Sequence, residues 1–328
     1  MTGRRARLGF LGVGWIGRNR LEAIARSGSA EVVAIADAAS DMAAKALDCA
    51  PGARLVPTFE ALLAEDLDGV VIATPSALHA EQSIAAFRRG LAVFCQKPLG
   101  RTAAEVRAVV EAARDADRLL GVDLSYRFTR AVQAIRARFA ELGQVYAANL
   151  VFHNAYGPDK PWFYDARLAG GGCVMDLGIH LVDLALWLLG SPPIERVASV
   201  LSRAGERVRG REGVEDHGAA QLCLANGAVV QLACSWRLPA GCDCVIEASF
   251  YGRSGGASVR NVNGSFYDLR AELYRGTSRE VLAEPPDAWG GRAAVDFAAR
   301  LTGGQRFDRE SEELVGVAEV LDRIYAGE

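Results

Sequence analysis

Ala6-Arg-Leu-Gly-Phe-Leu11 runs directly into Gly12-Val-Gly-Trp-Ile-Gly17, and a helix-like stretch follows to about Ser27. The apolar run predicts a strand, and the spaced glycines predict a turn from that strand into a helix. Gly12 permits the tight turn, Gly14 lets backbone approach a pyrophosphate, and Gly17 lets the helix pack on the strand. Trp15 and Ile16 complete the loop, and the helix N-terminus offers its N–H groups to the anion. A second strand, Val32-Val-Ala-Ile-Ala36, closes with Asp37, 20 residues after Gly17. A carboxylate there accepts from the adenosine ribose hydroxyls and repels a 2′-phosphate, and Ala38 and Ala39 supply no arginine for such a phosphate. The expected cofactor is therefore NAD rather than NADP.

Working outward, short apolar runs keep alternating with helical segments. Further strands are expected at Gly69–Ala73, Leu91–Cys95 and Leu119–Asp123, and helices at Ser40–Leu47, Ser76–Arg89 and Thr102–Asp117. Apolar strands each followed by a helix predict a parallel sheet covered on both faces. Thr74-Pro75 and Gln96-Lys97-Pro98 fall at strand carboxyl ends, where ligands bind such sheets. His79 either lines that crevice or is a surface histidine near a helix start.

After about Leu124 the pattern changes. A helix at Thr129–Leu142 and a strand at Val145–Phe152 precede an aromatic loop, Tyr156 to Tyr164. From Glu195 successive strands with turns, including Asn226-Gly227, predict a mostly antiparallel sheet, and two helices follow near Ala293–Leu301 and Ser311–Tyr325. The expected organisation is an α/β dinucleotide-binding domain over residues 1–125 and an α+β domain over 126–328.

Between the aromatic loop and the later strands lies Gly170-Gly-Gly172, then Asp176-Leu-Gly-Ile-His180 and the apolar run Leu181–Leu189. As one helix, this stretch would bring Asp176, His180 and Asp183 to a single face. An imidazole beside a carboxylate suits proton transfer near neutral pH; it equally suits a hydrogen-bonded histidine inside a capped helix. In the aromatic loop, Tyr156, Trp162 and Tyr164 either shape a substrate pocket or pack a domain junction. His153, at the loop's approach, is a candidate to reach the pocket, and His217 reads as structural.

The 328 residues carry a net charge of -3, which points to neither nucleic acid nor an anionic membrane. No apolar run reads as long enough to span a bilayer. Seven scattered cysteines and no secretory signal indicate reduced thiols and a cytoplasmic protein. Cys242-Asp-Cys244 lacks a second ligand pair, so buried cysteines are expected and no metal.

Gly12-x-Gly14-x-x-Gly17, Ala73-Thr-Pro75, Gln96-Lys97-Pro98 and Gly171-Gly172-x-x-x-Asp176-x-Gly178-x-His180-x-x-Asp183, in this order, resemble the Gfo/Idh/MocA oxidoreductases over nearly the whole chain. The resemblance implies a Rossmann domain, a second domain with a large open antiparallel sheet, and a homodimer or homotetramer built through that sheet. It also implies NAD(P)-dependent chemistry on a sugar, cyclitol or related polyol. By position, Lys97, Asp176 and His180 match the family's catalytic residues. His180 suits the general acid/base role, Lys97 stabilisation of the alkoxide, and Asp176 either holding a neighbouring hydroxyl or orienting His180. Gln96 departs from the glutamate usual before the lysine. A non-catalytic NAD(P)-binding regulator on the same fold is the alternative; such a protein would be expected to lose Lys97 or His180, and both are kept.

Overall fold

The computed structural model describes residues 4–327. Two compact units emerge, the first up to Ser125 plus Gly290–Val315, the second Tyr126–Trp289 plus the residues from Gly316 on.

The first unit alternates strands and helices: β1 (Ala6–Leu11), α1 (Trp15–Ser27), β2 (Ala30–Ala36), α2 (Ser40–Leu47), β3 (Arg54–Leu55), α3 (Phe59–Leu63), β4 (Gly69–Ile72), α4 (Ser76–Arg88), β5 (Ala92–Cys95), α5 (Ala103–Asp115) and β6 (Leu120–Val122). Its six strands lie in the order β3-β2-β1-β4-β5-β6, with every pairing parallel. The order reverses between β1 and β4, and the carboxyl ends at that switch open a crevice. All residues of β4 and β5 are buried, which is why these strands read as unbroken apolar runs. Thr58 and Thr102 start α3 and α5 with their hydroxyls accepting from Ala61 N and Glu105 N. β3 and α3 carry no clear sequence signal: β3 is two exposed residues long, and α3 is barely more than a turn.

The second unit contains α6 (Arg130–Arg138), β7 (Val145–Asn154), α7 (Ala166–Ala169), a π-helical turn Val174–Gly178, α8 (Ile179–Leu189), and strands β8 (Ile194–Arg203), β9 (Glu206–Val208), β10 (His217–Leu224), β11 (Val229–Ser235), β12 (Cys244–Gly252), β13 (Gly256–Asn261), β14 (Leu269–Arg275) and β15 (Ser278–Ala283). The nine strands form one sheet, β15-β14-β13-β12-β7-β11-β10-β8-β9. Every pairing is antiparallel except that of β7 with β11. α8 packs against β7 and β11. The helical stretch Ala166–Leu189 corrects one expectation from the sequence: it is long and apolar enough to cross a membrane, with 83% of its most apolar window buried inside the fold.

The closing helices are α9 (Arg292–Thr302) and α10 (Glu313–Ala326). Expecting 126–328 to be one domain is corrected here, because Gly290–Val315 clusters with the first unit. α9 packs on α1, β1, β2, β5 and β6. Phe297 meets Phe94 at 5.5 Å, over Gly121, where a Cβ would lie 2.9 Å from the Phe297 ring. The Thr302 hydroxyl accepts from Ala6 N and donates to Ser29 O. An amphipathic helix advertises that it covers a core but not which one.

Candidate active site

The glycine loop of the first unit is shaped by close backbone approach. Gly12 has φ +83°, and a Cβ there would sit 2.7 Å from the Ala73 carbonyl oxygen. A Cβ on Gly17 would come within 2.2 Å of the Gly12 oxygen, so α1 packs directly on the loop. Gly14 is the N-cap of α1; no side chain caps it and no acid lies in its first turn. The positive end of a 13-residue helix is thus left for an anion, with Trp15 60% exposed beside it. This arrangement fits the pyrophosphate of a dinucleotide.

Asp37 does more than its sequence position announces. Its Oδ2 accepts from Val13 N at 2.6 Å and its Oδ1 from Ala39 N at 2.8 Å, so the carboxylate braces the glycine loop. Each oxygen retains acceptor capacity for a ribose hydroxyl. Thr74 donates its hydroxyl to Gln82 Oε1 at 2.6 Å, and Pro75 is the N-cap residue of α4.

Both readings of His79 need correction. It is 1% exposed, and its ring nitrogens lie 2.7 Å from the carbonyl oxygens of Pro98 and Thr74. Burial lowers its pKa, the two carbonyl contacts oppose that, and the Lys97 charge adds to the lowering. His79 ties together the turns that follow β4 and β5 instead of lining a crevice. Gln96 is likewise buried, and its amide donates to Asp123. Lys97 follows Gln96 and is half-buried.

In the second unit, the regular helix expected to carry Asp176, His180 and Asp183 on one face begins instead with a π-helical turn that contains Asp176. A π turn widens the helix by about one residue, which alters the i, i+4 relation between Asp176 and His180. Asp176 Oδ2 accepts from Trp236 Nε1 at 3.0 Å. His180 is 6% exposed, edge-on to Tyr126 at 4.9 Å and 6.4 Å from the Phe152 ring. Asp183 is fully buried and pairs side-on with Arg127, whose Nε lies 2.9 Å from Oδ2. Burial raises the Asp183 pKa, with Arg127 opposing the rise. Asp183 anchors α8.

The triple glycine has its own partner, which sequence reasoning missed. Glu215 is completely buried and accepts from Gly172 N and Val174 N at 2.9 Å and from the Tyr325 hydroxyl at 2.9 Å. A Cβ on Gly172 would lie 1.9 Å from the Glu215 carbonyl oxygen, so nothing larger than glycine fits. Burial raises the Glu215 pKa against these hydrogen bonds.

The aromatic loop gathers on Trp236. Phe163 lies 6.4 Å from it and Tyr164 5.7 Å, and Trp162 stacks on Phe163 at 3.9 Å. Tyr164 is 42% exposed and Tyr156 52%, the latter beside Phe266. Trp236 therefore joins this loop to Asp176. His153 is a correction: it follows Phe152 along β7, so it points to the sheet face away from the one on which Phe152 meets His180. There its Nδ1 meets Ser235 Oγ at 2.8 Å, and burial, then His217, lowers its pKa.

Residues 6–124 match the oxidoreductase family with an NAD-binding Rossmann fold, and residues 129–258 match the GFO/IDH/MocA C-terminal domain. The chain belongs to the GFO/IDH/MocA oxidoreductase family. Among its relatives in this family, the 1,5-anhydro-D-fructose reductase of Ensifer adhaerens is 34% identical over 69% of this chain and 68% of its own. The inositol 2-dehydrogenase of Rhizobium meliloti is 31% identical over 78% of this chain and 76% of its own. A protein of gentamicin A biosynthesis, solved in complex with NAD, superposes with a TM-score of 0.82 at 25% identity, over 99% of this chain and 94% of that one. A 3-ketoreductase of Actinomadura kijaniata, solved with NADP and TDP-benzene, shares the fold with a TM-score of 0.83 at 24% identity, over 99% of this chain and 98% of that one. Solved structures that share this fold thus include complexes with either dinucleotide.

Proposed function

We propose that this oxidoreductase moves a hydride between the nicotinamide of NAD and a secondary alcohol or ketone of a sugar, cyclitol or related polyol. The observation that carries the reading is the seating of His180 and Asp176: the imidazole is enclosed by Tyr126 and Phe152, and the carboxylate is held by Trp236 beside an exposed aromatic loop. The dinucleotide, held at Gly12–Gly17 and Asp37, supplies the hydride acceptor or donor. His180 takes the hydroxyl proton in oxidation and returns it in reduction. Lys97 donates a hydrogen bond to the same oxygen as alkoxide charge develops. Asp176 accepts from a neighbouring substrate hydroxyl or orients His180, while Tyr156, Trp162 and Tyr164 offer apolar faces to sugar C–H groups. Preference for NAD follows from the Asp37 carboxylate and from the absence of arginine at Ala38 and Ala39.

A homodimer or homotetramer through the open sheet belongs to the same reading. Support comes from a cross-strand row of Val200, Ala219, Ala233 and Val151 on one face of the sheet.

The test is a panel of polyols and aldoses with NAD and NADP, run on wild type and His180→Gln with NADH affinity measured by fluorescence. His180→Gln is expected to lose roughly 100- to 10,000-fold in turnover with NADH binding kept. Unchanged turnover removes His180 from the mechanism, and NADP bound as tightly as NAD removes the role given to Asp37. Tight NADH binding with no turnover on any substrate favours a regulator.

A further inference from the structure

Gln96 and Asp123 stand at the carboxyl ends of the adjacent strands β5 and β6, with Asp123 N donating to the Cys95 oxygen at 2.9 Å. Both side chains are buried, at 8% and 1% exposure, and so is Arg20 of α1, at 6%. Asp123 Oδ2 accepts from the Gln96 amide and, at 2.6 Å, from Arg20 Nε. Asp123 Oδ1 is buried with no hydrogen-bond partner among the described residues. Both donors therefore converge on a single carboxylate oxygen. Arg20 belongs to the helix that follows the glycine loop, and Gln96 is bonded to Lys97. The other titratable group coupled to Asp123 is the Cys95 thiol, which burial and then the Asp123 charge push up so that it stays protonated.

We propose that Gln96, Asp123 and Arg20 form a positioning triad that fixes the lysine-bearing turn against the glycine-loop helix. In this triad residue 96 must be a neutral donor because residue 123 carries the negative charge. An amide at 96 gives Asp123 a hydrogen bond. A carboxylate at 96 gives it a second anion at contact distance, with one arginine for two charges. Buried carboxylates so close cannot both ionise near neutral pH, and one must hold a proton that hydrogen-bonds the other. Gln96 is thus a positioning residue acting through the backbone of Lys97. This inference rests on the reading of Lys97 as a group that meets substrate.

The experiment compares wild type, Gln96→Glu, Asp123→Asn and the charge-swapped double variant across pH. The readouts are thermal midpoint, NADH affinity and turnover on the best panel substrate. In Gln96→Glu the folded pKa of the carboxyl pair is raised, so the native state binds more protons than the unfolded chain, and stability falls as pH climbs through that pKa. The variant is expected to approach wild type in acid. Toward alkaline pH it loses ~10-fold or more in NADH affinity and turnover. Asp123→Asn is expected to show a loss that does not vary with pH. The double variant, again one carboxylate and one amide, is expected to recover at least half of the logarithmic loss and to lack the pH dependence. Gln96→Glu tracking wild type at every pH, or a double variant keeping the same pH dependence, overturns the proposal. If wild type turns over no substrate, the functional reading fails, while thermal midpoint and NADH affinity still decide the triad.

Discussion

Each unit has a helix led in by glycines, and the two are finished in opposite ways. Gly12–Gly17 leads into α1, whose N-cap glycine carries no capping side chain and whose first turn has no acid. Gly170–Gly172 leads into the π turn carrying Asp176, and there the N–H groups of Gly172 and Val174 are met by the chain's own carboxylate, Glu215. The first helix end stays open to an anion from outside, and the second is filled from within. Glycine before a helix therefore does not by itself make an anion site; the decision lies with whether the fold supplies its own acid.

The harshest way to break this comparison is to empty the filled end. Glu215→Ala leaves Gly172 N, Val174 N and the Tyr325 hydroxyl without their acceptor, and a loss of ~3–5 kcal/mol is expected in urea unfolding. A loss below ~1 kcal/mol, the net worth of one ordinary hydrogen bond, would mean that the carboxylate does not fasten this segment.

The converse change fills the open end. Gly14 has φ -58°, outside the left-handed region that favours glycine. Gly14→Asp is expected to weaken NADH binding by ~100-fold through charge repulsion at the helix end, while stability rises by a few tenths of a kcal/mol. NADH affinity within ~3-fold of wild type, about 0.6 kcal/mol, would show that the pyrophosphate does not use this helix end.

The smallest effect sharpens the comparison through pH. Burial raises the Glu215 pKa above its unfolded value, so its contribution is whole below the unfolded pKa and falls away as pH rises through the folded one. The amide introduced by Glu215→Gln does not titrate. The stability deficit of Glu215→Gln relative to wild type is thus expected to be greatest in acid and to narrow as pH rises, followed by chemical denaturation at several pH values. A deficit that grows with pH would reverse the sign assigned here.

These residues also show where sequence reading stops. The glycine loop was legible because all its demands fall on a few adjacent positions, and the helix starts at Thr102 and Thr129 were legible for the same reason. Glu215 was not legible: a single acid ahead of a strand looks solvated until its partner, 43 positions away, is known. Trp236 reaches Asp176 across 60 positions, and Asp123 reaches Gln96 across 27. The π turn leaves the apolar pattern of Leu177, Leu181 and Leu184 looking like an ordinary helix, and the glycine inside it, Gly178, does not distinguish it from a regular turn. His153 was misplaced because position along a strand does not reveal which face meets α8.

The return of α9 to the first unit has a consequence for the order of synthesis. A ribosome that has released everything up to Ser125 has made the whole six-stranded sheet but not the Phe297 that closes over Phe94 and Gly121. That flank must wait, apolar and uncovered, while the nine-stranded sheet is translated, and only the emergence of Arg292–Thr302 seals it. The first unit is thus closed only after the strands of the second have been made, although its own sheet is finished by Val122.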